Sequence, residues 1–180
     1  MDYLLYKPEH KENLVRLFKD TFTDSEGKDE GVLLAKLVSD FLSHPAKAED
    51  LYVFIATNDN KRIVGSIIFS RLYFPSDENV VMLAPVAVST DYHGQGIGQE
   101  LIRFGLETLR IKGVTTVITY GDINFYAKVG FTHISQEIIL PPLTLSYPEG
   151  WIAQSLVGET VFPIDGKPTC AGALNNPIYW

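Results

Sequence analysis

The chain has 180 residues, 46% of them apolar, with a formal net charge of −7 and a sequence pI near 5.0. That length suits one compact domain with a sizeable core. No window holds the roughly 18 apolar residues of a membrane helix, and the Lys and Arg residues form no cluster of the kind a sequence-independent nucleic-acid binder needs. Cys170 is the only cysteine, which excludes an intrachain disulfide and a cysteine-paired zinc site and fits a reducing, cytoplasmic setting. The N-terminus, MDYLLYKPEHKE, turns charged too soon for a signal peptide. The acidic balance favours a cationic small substrate over an anionic one through the long-range field.

In chain order, a short apolar strand is expected at residues 3–6. A helix follows over 8–22, with Pro8 in its first turn and Leu14, Leu17, Phe18 and Phe22 on one stripe. The polar run TDSEGKDEG reads as a break. A second helix is expected over 32–42, with Leu33, Leu34, Leu37, Val38 and Phe41 on one side, ended by His44-Pro45. Residues 51–58 and 62–74 read as an antiparallel hairpin around Asp59-Asn60-Lys61. VVMLAPVAV, residues 80–88, is a further strand. Its Pro85 removes a ladder donor and predicts a distortion there. A helix over 98–112 carries Gly105 on its apolar face, which predicts close approach to a sheet. A β-branched strand over 114–120, a short helix over 121–130 and a strand over 131–140 complete the regular part. Beyond Pro141-Pro142, LVGETVF (156–162) is one more candidate strand, and the rest of the tail reads as irregular. The order β-α-α-β-β-β-α-β-α-β runs from an antiparallel start into a right-handed β-α-β crossover.

The segment DYHGQGIGQE, residues 91–100, carries Gly94, Gly96 and Gly98 just ahead of a helix. Phosphate-binding loops are the natural comparison. A P-loop needs a lysine after its last glycine, and none follows here. A dinucleotide fingerprint places a third glycine or alanine where this chain has Gln99. It also sits directly after its strand, whereas five residues separate Val88 from Gly94. Asp122, near the end of the next strand, is a decoy for the ribose-binding acid of that fold. The third reading is a pyrophosphate held by the free amides of a helix N-terminus, from about Gln95 to Gln99, with no lysine required.

In His93-Gly94-Gln95-Gly96-Ile97-Gly98 the chain resembles the GNAT superfamily of acyl-CoA-dependent N-acyltransferases. That family's motif is Arg or Gln, two residues, Gly, any residue, then Gly or Ala, and His93 departs from its first position. FYAKVGF (125–131) resembles the family's F-Y-x-K-x-G-F segment, and the element order agrees from Tyr3 to about Leu140. The resemblance implies an α+β (mixed α/β) fold: a central, mostly antiparallel sheet of six to seven strands flanked by helices, with a splay between the strands 81–88 and 114–120. Residues 1–140 would form the acetyl-CoA-binding domain, with 141–180 as an extension packed on it.

The resemblance further implies acetyl-CoA as co-substrate and no metal. Backbone near Val86, Ala87 and Val88 would pair with the pantetheine arm like an added strand. His93, Gly94, Gln95, Gly96, Ile97, Gly98 and Gln99 would hold the pyrophosphate. Asn124 is a candidate for the cofactor arm, with helix capping as the competing role. The acceptor is a primary amine of a small molecule or a protein; nucleic acid and membrane are not expected partners, and a homodimer is open to the chain. Acyl transfer needs a neutral amine, donors for the oxyanion and a proton for the thiolate. A backbone N–H around Val86 would serve the oxyanion. Tyr126 is the candidate acid, because a phenol near pKa 10 is close to a thiol. Glu26, Glu30, Asp122, His44, His93 and His133 are residues from which a base would come, none distinguished by sequence. An acyl-CoA-binding sensor without turnover is the alternative from another class. Cys170 reads as a small apolar residue.

Overall fold

The computed structural model describes residues 1–43, 47 and 49–180. Among the described residues, eleven α-helices and β-strands run in the expected order: β1 (Asp2–Leu5), α1 (Lys11–Glu26), α2 (Lys28–Ser43), β2 (Leu51–Thr57), β3 (Ile63–Leu72), β4 (Val80–Val88), α3 (Ile97–Ile111), β5 (Thr116–Tyr120), α4 (Ile123–Tyr126), β6 (Thr132–His133) and β7 (Trp151–Ser155). The strands form one sheet in the order β1-β2-β3-β4-β5-β7-β6. β4 and β5 are parallel, whereas β1–β2, β5–β7 and β6–β7 are antiparallel. This is the expected mixed, mostly antiparallel sheet flanked by helices.

The chain divides into two compact units: Met1–Phe69 with Pro85–Gly105, and Ser70–Ala84 with Leu106–Trp180. In the first, α1 and α2 bury most of the predicted stripes: Leu14, Leu17 and Phe18 on one helix, Leu34, Leu37, Val38 and Phe41 on the other, while Phe22 and Leu33 at their margins are half-buried. They approach so closely that a Cβ on Gly31 would lie 2.5 Å from the Lys19 carbonyl. The strands β2 and β3 join through a turn closed by Asn58 N–H to Arg62 O at 3.0 Å. The start of α3 lies against them, and Gly105 is the point of contact. A Cβ there would meet Phe69 Cε2 at 2.8 Å, the close approach its position predicted. Phe104 stacks edge-on against Phe54 at 5.7 Å.

In the second unit β5 is buried along Thr116–Thr119. Trp151, wholly buried, donates its indole N–H to Ile139 O at 2.9 Å. The C-terminal Trp180 is 5% exposed, stacks on Tyr120, lies tilted against Trp151, and donates to Leu174 O.

Three expectations need correction. The last strand is Trp151–Ser155, not 156–162. Trp151, Ile152 and Ala153 are fully buried, while Val157 and Phe162 are 69% exposed, so burial rather than β-propensity chose the strand. The strand over 131–140 shrinks to Thr132–His133. Ile138 and Ile139 turn back to Ser135 O, and Ile139 bridges Ile164 instead. The polar break between the first helices shrinks to Gly27: α1 continues through Glu26, Gly27 N–H bonds Thr23 O, and α2 opens at Lys28. Asp29 and Glu30 favour that start, since carboxylates suit a helix N-terminus. The expected stop at His44-Pro45 lies outside the described residues.

Candidate functional site

The first unit presents the glycine turn. After β4 the chain makes one 3-10 turn at Thr90–Tyr92 and then runs through His93-Gly94-Gln95-Gly96 into α3. Gly94 and Gly96 have φ of 74° and 77°, values a side chain opposes by roughly 1–2 kcal/mol. A Cβ on either would meet nothing within 4 Å, so the turn is bounded by open space and not by packing. The first hydrogen bond of α3 runs from Glu100 N–H to Gly96 O at 3.1 Å. The amides ahead of it are the donors a helix start leaves without intrahelical partners. Their base is firm. Ile97 is 5% exposed and faces Gly65, Leu101 and Ile102 are fully buried, and Gly98 is buried. Gln95 is exposed and Gln99 half-buried.

The loop is tied down by side chains. Thr90 donates to Asp24 at 2.7 Å, and Asn58 donates to the Tyr92 hydroxyl at 2.8 Å. His93 Nε2 lies 2.7 Å from Val88 O. A carbonyl only accepts, so Nε2 carries the proton in that bond. His93 therefore fastens the turn to the end of β4. Between the loop and α1 lies a cavity of about 470 Å³, lined by Arg16, Asp20, Asp24 and Arg62 among others.

The distortion expected at Pro85 does not interrupt the strand: β4 runs unbroken from Val80 to Val88. Ser89 N–H donates to Val64 O on β3 at 2.8 Å. Successive strand amides point to opposite sides, so Val88 and Val86 direct N–H groups away from β3, and Ala87 toward it. Ala84, Val86 and Val88 are half-buried and alternate with buried Pro85 and Ala87.

The second unit presents Tyr126. The β4–β5 ladder runs from Val80↔Thr116 to Leu83↔Thr119. At that last pair Thr119 Oγ1 donates to Leu83 O at 2.8 Å. Beyond it the chain turns: Gly121 N–H goes to Gly150 O, and Asp122 caps α4 by accepting from Asn124 N–H at 2.9 Å. The cap is thus Asp122. The Asn124 side chain also donates to Asp122 Oδ1, at 2.9 Å. Tyr126 is half-buried, edge-on to Phe125 at 5.0 Å and to Phe131 at 5.6 Å. A Cβ on Gly121 would lie 2.9 Å from the Tyr126 ring, so glycine makes room for it. Burial pushes the phenol up from its ordinary value, and a hydrogen bond with Thr119 partly opposes this. At neutral pH Tyr126 holds its proton, as an acid must. Thr119 had no mark in the sequence beyond membership of a β-branched run. A cavity of about 400 Å³ opens beside α4, lined by Tyr120, Asp122, Asn124, His133, Tyr147 and Glu149.

Among the candidate bases, Asp122 is occupied as a cap, His93 holds Val88 O, and Glu26 and His133 are exposed. Glu30 is half-buried. Burial, then the Glu26 charge, raises its carboxyl above the usual range. His44 lies outside the described residues. The Cys170 thiol is pushed up by burial, against a role as thiolate nucleophile. Among the described residues no group of three or more His, Cys, Asp or Glu is placed to hold a metal ion, and no helix is long and apolar enough to cross a membrane.

Comparison with known proteins converges on one family. The model of the acetyltransferase (GNAT) family matches residues 11–131, a span that contains both the glycine turn and Tyr126. The uncharacterised N-acetyltransferase YjhQ of Escherichia coli K12 is 32% identical over 148 residues, covering 79% of this chain and 78% of its own. In fold, the chain is similar to the GNAT family N-acetyltransferase YhbS from Escherichia coli, solved in complex with CoA. The TM-score is 0.83 at 23% identity, over 97% of this chain and 92% of that one. A GNAT family acetyltransferase from Brucella melitensis, solved with acetyl-CoA, gives a TM-score of 0.72 at 20% identity, over 96% of each. The chain belongs to the GNAT family of acetyltransferases.

Proposed function

We propose that the protein transfers the acetyl group of acetyl-CoA to a primary amine, of a small molecule or a protein, by direct attack. The observation that carries this reading is the turn at residues 93–99. Two glycines of positive φ open an uncrowded space in front of the free amides of a 15-residue helix. A diphosphate suits those amides and the positive end of the helix dipole. Gly94, Gln95, Gly96, Ile97, Gly98 and Gln99 form that grip, mostly through backbone; His93, with its N–H on Thr90 O and its ring on Val88 O, holds the turn in place for it, so the histidine at the first motif position costs little. Val86 and Val88 offer amides to the pantetheine arm, with Ala87 between them, and the Val86 N–H is the oxyanion donor. Asn124 supports the arm once its side chain leaves Asp122. The solved complexes of similar fold hold CoA and acetyl-CoA, which supports the same co-substrate here.

In the reaction the amine nitrogen bonds to the thioester carbon, the carbonyl oxygen takes up charge, and the C–S bond breaks as the tetrahedral species collapses. Tyr126 gives its proton to the departing thiolate sulfur, and the amine loses a proton to solvent or a carboxylate. The test is release of free thiol from acetyl-CoA with a panel of small amines and lysine or N-terminal peptides. Acceptor-dependent thiol release, with an acetylated product of matching mass, is the expected result. Binding of CoA without thiol release for any acceptor would instead show a sensor.

A further inference from the structure

The cavity of about 400 Å³ beside α4 lies within the second unit and shares a wall with the proposed acid. Gly121 lines it, and a Cβ on Gly121 would lie 2.9 Å from the Tyr126 ring. Its volume is in the range of small-molecule sites. Its walls are fixed. The Tyr120 hydroxyl accepts from Tyr147 N–H at 2.6 Å and pairs with Ser146 Oγ at 3.1 Å, while Trp180 stacks on the Tyr120 ring at 6.4 Å. A Cβ on Gly150 would lie 3.1 Å from the Tyr120 ring and 3.1 Å from the Tyr147 ring, so the two close on a glycine. Asp122 accepts both Asn124 bonds at Oδ1, and its Oδ2 takes no part in the cap. Glu149 is exposed, and Tyr147 is 60% exposed. Among the described residues neither carboxylate has an ion-pair partner.

Two carboxylates and two tyrosine rings around one cavity suit a cation, through charge and through the negative ring faces. His133, on β6, adds a ring nitrogen that accepts in the neutral imidazole. The nucleophile of acyl transfer is a neutral amine, whereas a nearby carboxylate favours an amine's charged form. The carboxylates therefore suit a second group of the acceptor and not the reacting nitrogen. We propose that this cavity holds the acceptor and that the acceptor is a small diamine: one nitrogen, neutral, attacks the thioester beside Tyr126, while the other, protonated, is held by Asp122 and Glu149 against the rings of Tyr120 and Tyr147. The N–C bond forms at the neutral nitrogen, the C–S bond breaks, and the second ammonium keeps its proton throughout. The inference rests on the acetyl-transfer reading and narrows its acceptor.

The test compares linear diamines of three to six methylenes with the primary monoamines and amino acids of the same chain length, by thiol release from acetyl-CoA. The best diamine should exceed its monoamine at least about tenfold in kcat/KM, the size of one charge-assisted hydrogen bond, mainly through a lower KM. The amino acid, with a negative second group, should be poorest. Glu149→Gln and Asp122→Asn should each shrink the diamine's advantage, and together abolish it; asparagine still caps α4 through its side-chain oxygen. A smaller advantage in wild-type protein, or one that survives both substitutions, overturns the inference. The single variants carry the same measurement if the double variant does not fold. Failure of the acetyl-transfer reading looks different: wild-type protein releases no thiol with any amine. The cavity is then read by binding alone, as shifts of the Gly121, Asp122, Asn124 and Glu149 amide resonances on adding the diamine. Shifts that the variants lose uphold a cation site there, and their absence overturns it.

Discussion

At the scale of single residues, Gly96 and Tyr126 carry the proposed chemistry. Gly96 has φ of 77° and open space where a side chain would go. Gly96→Asp should therefore leave a folded protein, melting within a few degrees of wild type, while putting a carboxylate where a diphosphate belongs. CoA affinity should fall at least about tenfold, since even one lost charge-assisted bond is worth about 1.5 kcal/mol; calorimetry reads this directly. Tyr126→Phe keeps the ring and its edge-on contacts and removes the hydroxyl that carries the proton. Thiol release should drop by about a hundredfold, in the range of general-acid contributions, with CoA affinity unchanged. Equal rates for the two proteins would remove the acid role. Both residues were legible in the sequence because they sit in motifs whose spacing carries the chemistry. Thr119 was not, because a threonine in a β-branched strand looks the same whether its hydroxyl is idle or bonded.

At the scale of elements, helix contact at Gly31 and helix charge at Glu30 give two further tests. A methyl at Gly31 would press on the Lys19 carbonyl, which belongs to the backbone of α1 and cannot rotate away. Gly31→Ala should cost about 3 kcal/mol through overpacking, more than the roughly 1 kcal/mol that alanine gains in a helix. Urea unfolding measures the difference; a gain in stability would contradict the packing. Glu30 binds its proton more tightly folded than unfolded, because burial and the Glu26 charge oppose its ionisation. Such a group adds stability below the unfolded carboxyl's range and loses it as the pH rises through its folded value. Glu26→Gln removes one cause, so the variant should gain on wild type at pH 7 and not at pH 4. Helices and the first strands were legible because periodic stripes and turn residues agree with the burial they receive. The run FTHISQEIIL looked equally strand-like, yet Ile139 pairs with Ile164 in the tail, a contact that no local pattern announces.

At the scale of the whole molecule, the tail is what sequence pattern described least. Residues beyond 140 supply β7, which pairs with both β5 and β6, and end in Trp180 packed on Tyr120 and Trp151. Its indole N–H finds Leu174 O, so an irregular, proline-rich segment is held by two buried tryptophans rather than by repeating structure. Trp180→Ala should cost about 3 kcal/mol, at the lower end for truncating a buried aromatic, and a loss under about 1 kcal/mol by urea unfolding would show the tail to be ornamental to stability. The central claim, that free amides ahead of α3 hold the diphosphate of CoA, is tested most directly by titrating CoA into 15N-labelled protein and following its amide resonances. The largest shifts should fall on Gly94 through Gln99; saturable CoA binding that leaves those six amides unmoved would place the diphosphate elsewhere.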